Sequence, residues 1–198
     1  MADQERHDKD GWPLLPFVDA GEFERWLEEH HGQPTGLWLK IAKKGSGIPS
    51  ITYDQAVDVA LCFGWIDGQK NSYDHDWFLQ RFSPRRPRSI WSKVNTEKVD
   101  ELTKAGRMRP PGLAEVQKAK DDGRWAAAYG RQSDMPVPLD LQRFLDENDD
   151  AAEFFGSLSS TNRYAFLFRL QTARRPETRA KRFAEFTSML KAGKKFYS

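Results

Sequence analysis

The chain has 198 residues, 38% of them of the AVILMFWYC types, with 7 Trp, 13 Phe and a net charge of +2. That length suits one domain of ordinary size or a domain with a small appendage, and so many large rings allow a sizeable core despite a mean hydropathy of −0.76. A single cysteine, Cys62, excludes an internal disulfide. No window approaches the ~18 apolar residues of a membrane span, and MADQERHDKDG lacks the basic head and apolar core of an export signal, so a soluble cytoplasmic protein is expected.

Taken in order, the first dozen residues lack periodicity and read as mobile. Asp19 then caps a helix carrying Phe23, Trp26 and Leu27 on one face and ending near His30-His31-Gly32. Gly36–Ile41 reads as a strand with Leu37, Leu39 and Ile41 facing one way and Trp38 and Lys40 the other. Lys43-Lys44-Gly45-Ser46-Gly47 is a loop whose glycines and lysines invite a phosphate-loop reading, but the G-x-x-x-x-G-K-[ST] spacing is absent. A helix follows from Thr52 or Asp54, with Ala56, Val57, Ala60 and Leu61 inward, and Gly64 stops it.

Trp65–Lys70 and Trp77–Phe82 read as two strands of a hairpin turned by Asn71–Asp76. Pro84 and Pro87 argue against regular pairing in Ser83–Ser89. Asn95 or Thr96 caps the next helix (Val99 and Leu102 inward), which Gly106 closes. Pro110-Pro111 opens another with Leu113, Val116 and Ala119, closed by Gly123. Trp125 and Tyr129 are expected to pack this pair on the sheet. Beyond Gln132–Pro138 four helices are expected: Leu139–Glu147, Ala151–Leu158, Ser160–Arg174 and Pro176–Ala192. The third has Tyr164, Leu167, Phe168 and Gln171 at helical spacing, and the last has Ala180, Phe183, Ala184, Thr187 and Leu190. The expectation is an α+β fold with a small antiparallel sheet of about three strands packed with helices, then an all-helical C-terminal region. The divisions fall at 1–131, a linker at 132–138, and 139–198.

The chemistry concentrates in Phe63–Lys93. From Trp77 through Thr96 there is no acidic residue. A guanidinium offers paired donors to carboxylate or phosphate and stacks on indole. Trp38, Lys40, Trp65, Asp67, Gln69, Arg81, Arg85, Arg86, Arg88, Trp91 and Lys93 are therefore the candidate ligand-binding residues, with Trp77 beside them, converging on one hollow for an anionic or aromatic ligand. The bland alternative pairs these arginines with the acidic N-terminal helix or has them cap backbone carbonyls. Asp67 is read as an arginine's ion-pair partner, or as the acid or base of an enzyme. The histidines fall in no zinc spacing with Cys62, Asp74-His75-Asp76 reads as a turn rather than a metal clip, and no cofactor motif occurs, so neither metal nor cofactor is expected. Residues 1–30 carry a net charge of −6 and residues 163–198 a net of +8. This leaves nucleic-acid binding through Arg85–Lys93 and the basic C-terminus as a second class, although the small net charge weighs against it. The oligomeric state is open.

The strings GLWLKIAKKGSG, ALCFGWIDGQK, FLQRFSPRRPRSIWSKVN and GRMRPPGL resemble the YdeI/OmpD-associated family, the bacteriocin-protection proteins. LSSTNRYAFLFRLQTARRPETRAKRFAEFTSMLKAGKK is similar to that family's helical C-terminus. The resemblance implies an α+β region followed by helices in a bacterial protein, associated with tolerance of bacteriocins and cationic antimicrobial peptides. It brings no catalytic residue. On its motifs fall Trp65, Asp67, Gly68, Arg81, Pro84, Arg85, Arg86, Pro87, Ser89, Trp91, Ser92 and Asn95. Together these readings favour a non-catalytic binding protein.

Overall fold

The computed structural model describes residues 5–7, 10–130, 135–173 and 175–197. The chain forms two compact units, residues 1–91 with 95–127 and residues 92–94 with 128–198. Of the expected linker, residues 132–134 lie outside the described residues.

The first unit holds β1 (Leu14–Pro16), α1 (Ala20–His30), β2 (Leu37–Ala42), α2 (Tyr53–Cys62), β3 (Trp65–Ser72) and β4 (Trp77–Pro84). Most of α3 (Lys93–Lys104) and all of α4 (Pro110–Asp121) complete it. The sheet order is β1-β2-β4-β3. It thus has four strands rather than three. It is also mixed, because β1 pairs parallel to β2 while the other pairings are antiparallel. β1 follows directly on the stretch read as mobile; residues 1–4 and 8–9 of it lie outside the described residues, while Glu5–His7 and Asp10–Trp12 are ordered against the sheet. Leu14 N–H donates to the Glu5 carbonyl and His7 N–H to the Trp12 carbonyl, both at 2.9 Å, so Glu5–His7 folds back along the start of β1. Only three residues long, β1 was too short to show a period of two.

Local signals explain the helices. Asp19 Oδ1 accepts from Glu22 N–H at 2.9 Å and caps α1. Thr52 and Gln55 cap α2 reciprocally, each side chain taking the other's backbone N–H. Gly64 (φ 75°) then reverses the chain into β3. The pairing of β4 runs on to Ser83 and Pro84, opposite Ile66 and Trp65, so the first proline ends the ladder instead of excluding it. α3 begins at Lys93, ahead of Asn95 and Thr96, which lie inside it. In α4, Val116 and Ala119 are buried as expected, but Leu113 is exposed and Gly112 takes the inner position. The reason is closeness, since a Cβ at Gly112 would lie 2.2 Å from the Cys62 carbonyl oxygen. α4 therefore rests backbone to backbone on the end of α2, and Cys62 is buried beneath it.

The second unit contains α5 (Leu139–Asp146), α6 (Asp149–Ser157), α7 (Ser160–Gln171) and α8 (Pro176–Lys191). Its core joins Leu141, Leu145, Phe155, Phe166, Leu170, Phe186 and Leu190. The buried face of α7 runs through Asn162, Ala165, Phe166, Leu167 and Leu170, turned from the expected Tyr164–Gln171 stripe. On α8, Ala180 and Ala184 are exposed while Phe186 is buried. Leu167 and Leu190 of the expected rows are buried, and Tyr164, Phe168 and Phe183 pack against the core, but periodicity missed Phe166, Leu170 and Phe186 because aromatic residues ring these helices. Tyr129 packs edge-on to Phe168 in this unit, whereas Trp125 packs on Trp91 in the first.

Gly112→Ala is expected to cost about 1–3 kcal/mol through the clash with Cys62. Gly32→Ala, with nothing within 4 Å of the added carbon, is expected to stay within about 0.5 kcal/mol. Urea denaturation of the two variants checks this.

Candidate functional site

The register of β2 against β4 sorts the candidate residues onto two faces. Leu37, Leu39 and Ile41 pair with Phe82, Gln80 and Phe78, while Trp38, Lys40 and Ala42 pair with Arg81, Leu79 and Trp77. The first set turns toward the helices. There Trp65, fully buried, donates its indole N–H to the His31 carbonyl at 3.0 Å and meets Trp26 edge to face. Asp67 shares that face. It accepts from the Tyr53 hydroxyl at 2.7 Å and forms no ion pair with an arginine among the described residues, which corrects its expected role. Gln69 is exposed beside a bulge in β3, where the buried Gln80 amide donates to the Gly68 carbonyl at 2.8 Å.

The second set forms the outer face, covered by a strap from Glu5–His7 and Asp10–Trp12. Trp38 is 2% exposed, and its indole N–H lies 3.1 Å from both carboxylate oxygens of Asp10. The His7 ring stacks on it at 4.3 Å. Lys40 reaches Glu5 at 3.2 Å and lies over the rings of Tyr73 and Trp77. Arg81 stacks on Trp12 at 4.0 Å. The Tyr73 hydroxyl donates to Glu5 and, with Lys40, holds that carboxyl below its ordinary value of 4.5, while Glu5 pushes the tyrosine up. The sequence reading missed the roles of Glu5, His7, Asp10 and Trp12. The acid–aromatic alternation of the N-terminus was the one signal available.

The arginine loop is divided. Arg85 is buried, its guanidinium 3.4 Å from the centroid of the buried Trp91, and it donates to the Ile90 carbonyl. Arg124, also buried, binds Asp122 through Nε and the Ser89 carbonyl at 2.9 Å. Arg86 and Arg88 are exposed. A cavity of about 440 Å³ opens here, but its lining mixes Arg85, Lys118 and Arg124 with Glu115, Asp121 and Asp122. Lys93 belongs to the second unit, where its N–H donates to the Tyr129 carbonyl. The expected convergence on one hollow is therefore corrected: Trp38, Trp65 and Trp91 are buried in separate places, with Trp38, Lys40 and Arg81 on the outer face of the sheet and Trp65 and Asp67 on the helix-facing one.

One region keeps uncompensated charge. Lys43, Lys44, Lys70, Asn71, Ser72 and Phe78 line a recess of about 530 Å³ containing no carboxylate. Lys70 Nζ sits 4.2 Å from the centroid of Phe78. Lys43 is anchored by the Asp74 carbonyl at 2.6 Å, and Lys44 and Lys70 have no ion pair among the described residues. Next to it a larger recess follows the Gly45–Gly47 loop to Tyr53 and Asp54 at the start of α2. Two other groups prove structural. His30 and His31 bind the carbonyls of their own helix, and Asp74 Oδ1 accepts from the N–H groups of Asp76 and Trp77 to form the turn.

Two outcomes follow from this geometry. Arg85→Ala is expected to lose about 2 kcal/mol, lowering Tm by about 4–8 °C, while Arg86→Ala and Arg88→Ala stay within about 0.5 kcal/mol; calorimetry separates them. Glu5's carboxyl titrates low in the fold, so its charge stabilises above the ordinary value and that gain disappears as pH falls through the lowered one. Glu5→Gln should then reduce Tm by about 1–3 °C near pH 7, and by progressively less as pH falls below the ordinary carboxylate value.

Residues 15–115, the sheet with α1 to α3 and half of α4, match the family described as Domain of unknown function (DUF8412). Residues 134–193, which hold α5 to α8, match the family described as Bacteriocin-protection, YdeI or OmpD-Associated. Of the strings that carried the resemblance, those between Gly36 and Leu113 fall inside the first match, and the helical C-terminal string falls largely inside the second. No curated protein and no solved structure matches the chain. Over half its length the chain matches, and it belongs to, the DUF8412 family; its C-terminal helices resemble the YdeI or OmpD-associated, bacteriocin-protection family.

Proposed function

We propose that this chain is a non-catalytic, cytoplasmic binding protein whose ligand is a small anion with a flat, apolar part, and that it acts in tolerance of bacteriocins, antimicrobial peptides or related stress by holding that ligand. The observation that carries the reading is the acid-free recess in which Lys44 and Lys70 face solvent beside the Phe78 ring. An ammonium without a carboxylate partner is an electrostatic opening for an anion, and the phenyl ring supplies contact for a planar group. Binding is favoured over turnover because Asp67, the one carboxylate considered for acid–base work, accepts a tyrosine hydroxyl in a pair that supports the sheet. The link to bacteriocin protection comes from the family of the C-terminal helices.

Aromatic carboxylates and aryl phosphates at about a hundred times their Kd should raise Tm by about 5–10 °C. The gain should be lost in Lys44→Ala/Lys70→Ala and kept in Arg86→Ala/Arg88→Ala. Equal stabilisation of all three proteins would remove the recess as the binding place. In cells, the lysine variant should lower survival under bacteriocin challenge without lowering the protein's abundance.

A further inference from the structure

The other face of the sheet carries a second cluster of charge and rings, separated from the lysine recess by Asn71 and Ser72 of the hairpin. The strands give this face Leu14, Trp38, Lys40, Trp77, Leu79 and Arg81, and none of the six is acidic. Both carboxylates on it come from the strap. Each polar group of the sheet is met by a different strap side chain: Lys40 by Glu5, the Trp38 indole N–H by Asp10, the Trp38 ring by His7, and Arg81 by Trp12. This one-to-one matching along an alternating segment is how a docked peptide is read, with acids and rings in separate places.

The strap is also loosely seated. A cavity of about 300 Å³ remains between it and the hairpin, bounded by Glu5, His7, Leu14, Asn71, Tyr73 and Leu79. Its ion pair is half open to solvent, with the Glu5 side chain 50% exposed and Lys40 17%, and partly exposed pairs hold modestly. Trp38 beneath is 2% exposed, so the strap covers a much stickier surface than its own contacts secure.

We propose that the outer face of the sheet is a docking surface for an acidic, aromatic-bearing segment of a partner protein, and that Glu5–His7 and Asp10–Trp12 occupy it in cis as a stand-in. The spacing of the contacts defines the partner: an acid, a ring two residues on, an acid three further, and a ring two beyond that. His7 offers the smallest ring in this pattern, stacked on Trp38 at 4.3 Å, and a tyrosine there would give Trp38 a larger ring to stack against. A second copy's strap would bring only the side chains already present, without the advantage of being tethered. Charge complementarity and an improvable contact both point to a partner.

The test uses the full chain and a labelled peptide copying residues 4–13 with His7→Tyr, followed by fluorescence anisotropy. Because the strap competes for the face, the peptide should bind Glu5→Ala/Asp10→Ala about tenfold more tightly than the unaltered chain. Adding Lys40→Ala and Arg81→Ala should weaken it at least about tenfold, and a scrambled peptide should not bind. Hydrogen exchange on the unaltered chain avoids any folding defect of the variants: excess peptide should speed exchange at the His7 and Leu14 amides and leave α2 unchanged. Equal affinity with and without the strap acids, or binding indifferent to Lys40 and Arg81, would overturn the proposal. So would a dimer of the loosened variant that peptide does not dissociate, which would give the face to a second copy.

Discussion

The antiparallel register that sets Trp38 beside Arg81 and Leu39 beside Gln80 is the constraint on which the first unit depends. A slip of one residue would exchange the two faces of β2 and turn Leu37, Leu39 and Ile41 away from α1 and α2. What holds the register is asymmetric burial. The helix-facing row of β2 is hydrocarbon, closed by Phe23 packing edge-on to Phe82. The outer row needs polar partners, and only the strap supplies them. Gly36 contributes at the start of β2, where a Cβ would meet the Phe82 carbonyl oxygen at 2.0 Å and the Trp12 ring at 2.4 Å. The close approach of the strap to the sheet thus requires glycine at that position.

Much of the element order was legible because its signals are local. Asp19, Thr52, Gly64 and Pro110 mark helix ends through backbone chemistry that needs no tertiary context. The hairpin was legible for the same reason, with Asp74 accepting the N–H groups that form its turn. β1 was not legible, since three residues display no pattern and its pairing partner is distant in sequence. The buried rows of α7 and α8 were read only in part, Leu167 and Leu190 correctly and Phe166 and Phe186 not, because these helices border a core rich in rings where several rows of each are apolar.

The candidate site shows a different limit. Composition rightly marked tryptophan and arginine as partners, yet a guanidinium stacked on indole serves a core as readily as a ligand. Arg85 illustrates this, lying on Trp91 with its polar edge toward the Ile90 carbonyl. Nothing in the string SPRRPRSIW distinguishes the arginine that turns inward from the two that stay in solvent. The C-terminal charge behaves alike. Arg163 and Arg169 lie over Phe155 and Phe196, Arg179 binds Asp140, and Arg182 donates to the Arg169 carbonyl. A net charge of +8 along that segment is therefore partly consumed by the unit's own packing, which weakens it as a footprint for nucleic acid.

The hairpin between β3 and β4 is where the two surfaces of the sheet meet. Asn71 and Ser72 border both the lysine recess and the cavity under the strap. Tyr73 donates to Glu5 on one side, and the Asp74 carbonyl receives Lys43 on the other. A shift of this turn would move an anchoring lysine and the strap's carboxylate together, because both are fixed to consecutive residues of one tight loop. Neighbouring groups with shared partners do not behave additively. The turn is held chiefly by Asp74 accepting two backbone amides at 2.8 Å, a local and solvent-exposed device. Its rigidity therefore sets how separately the two faces can move: while Asp74 keeps both bonds, the recess and the outer face each keep a fixed wall.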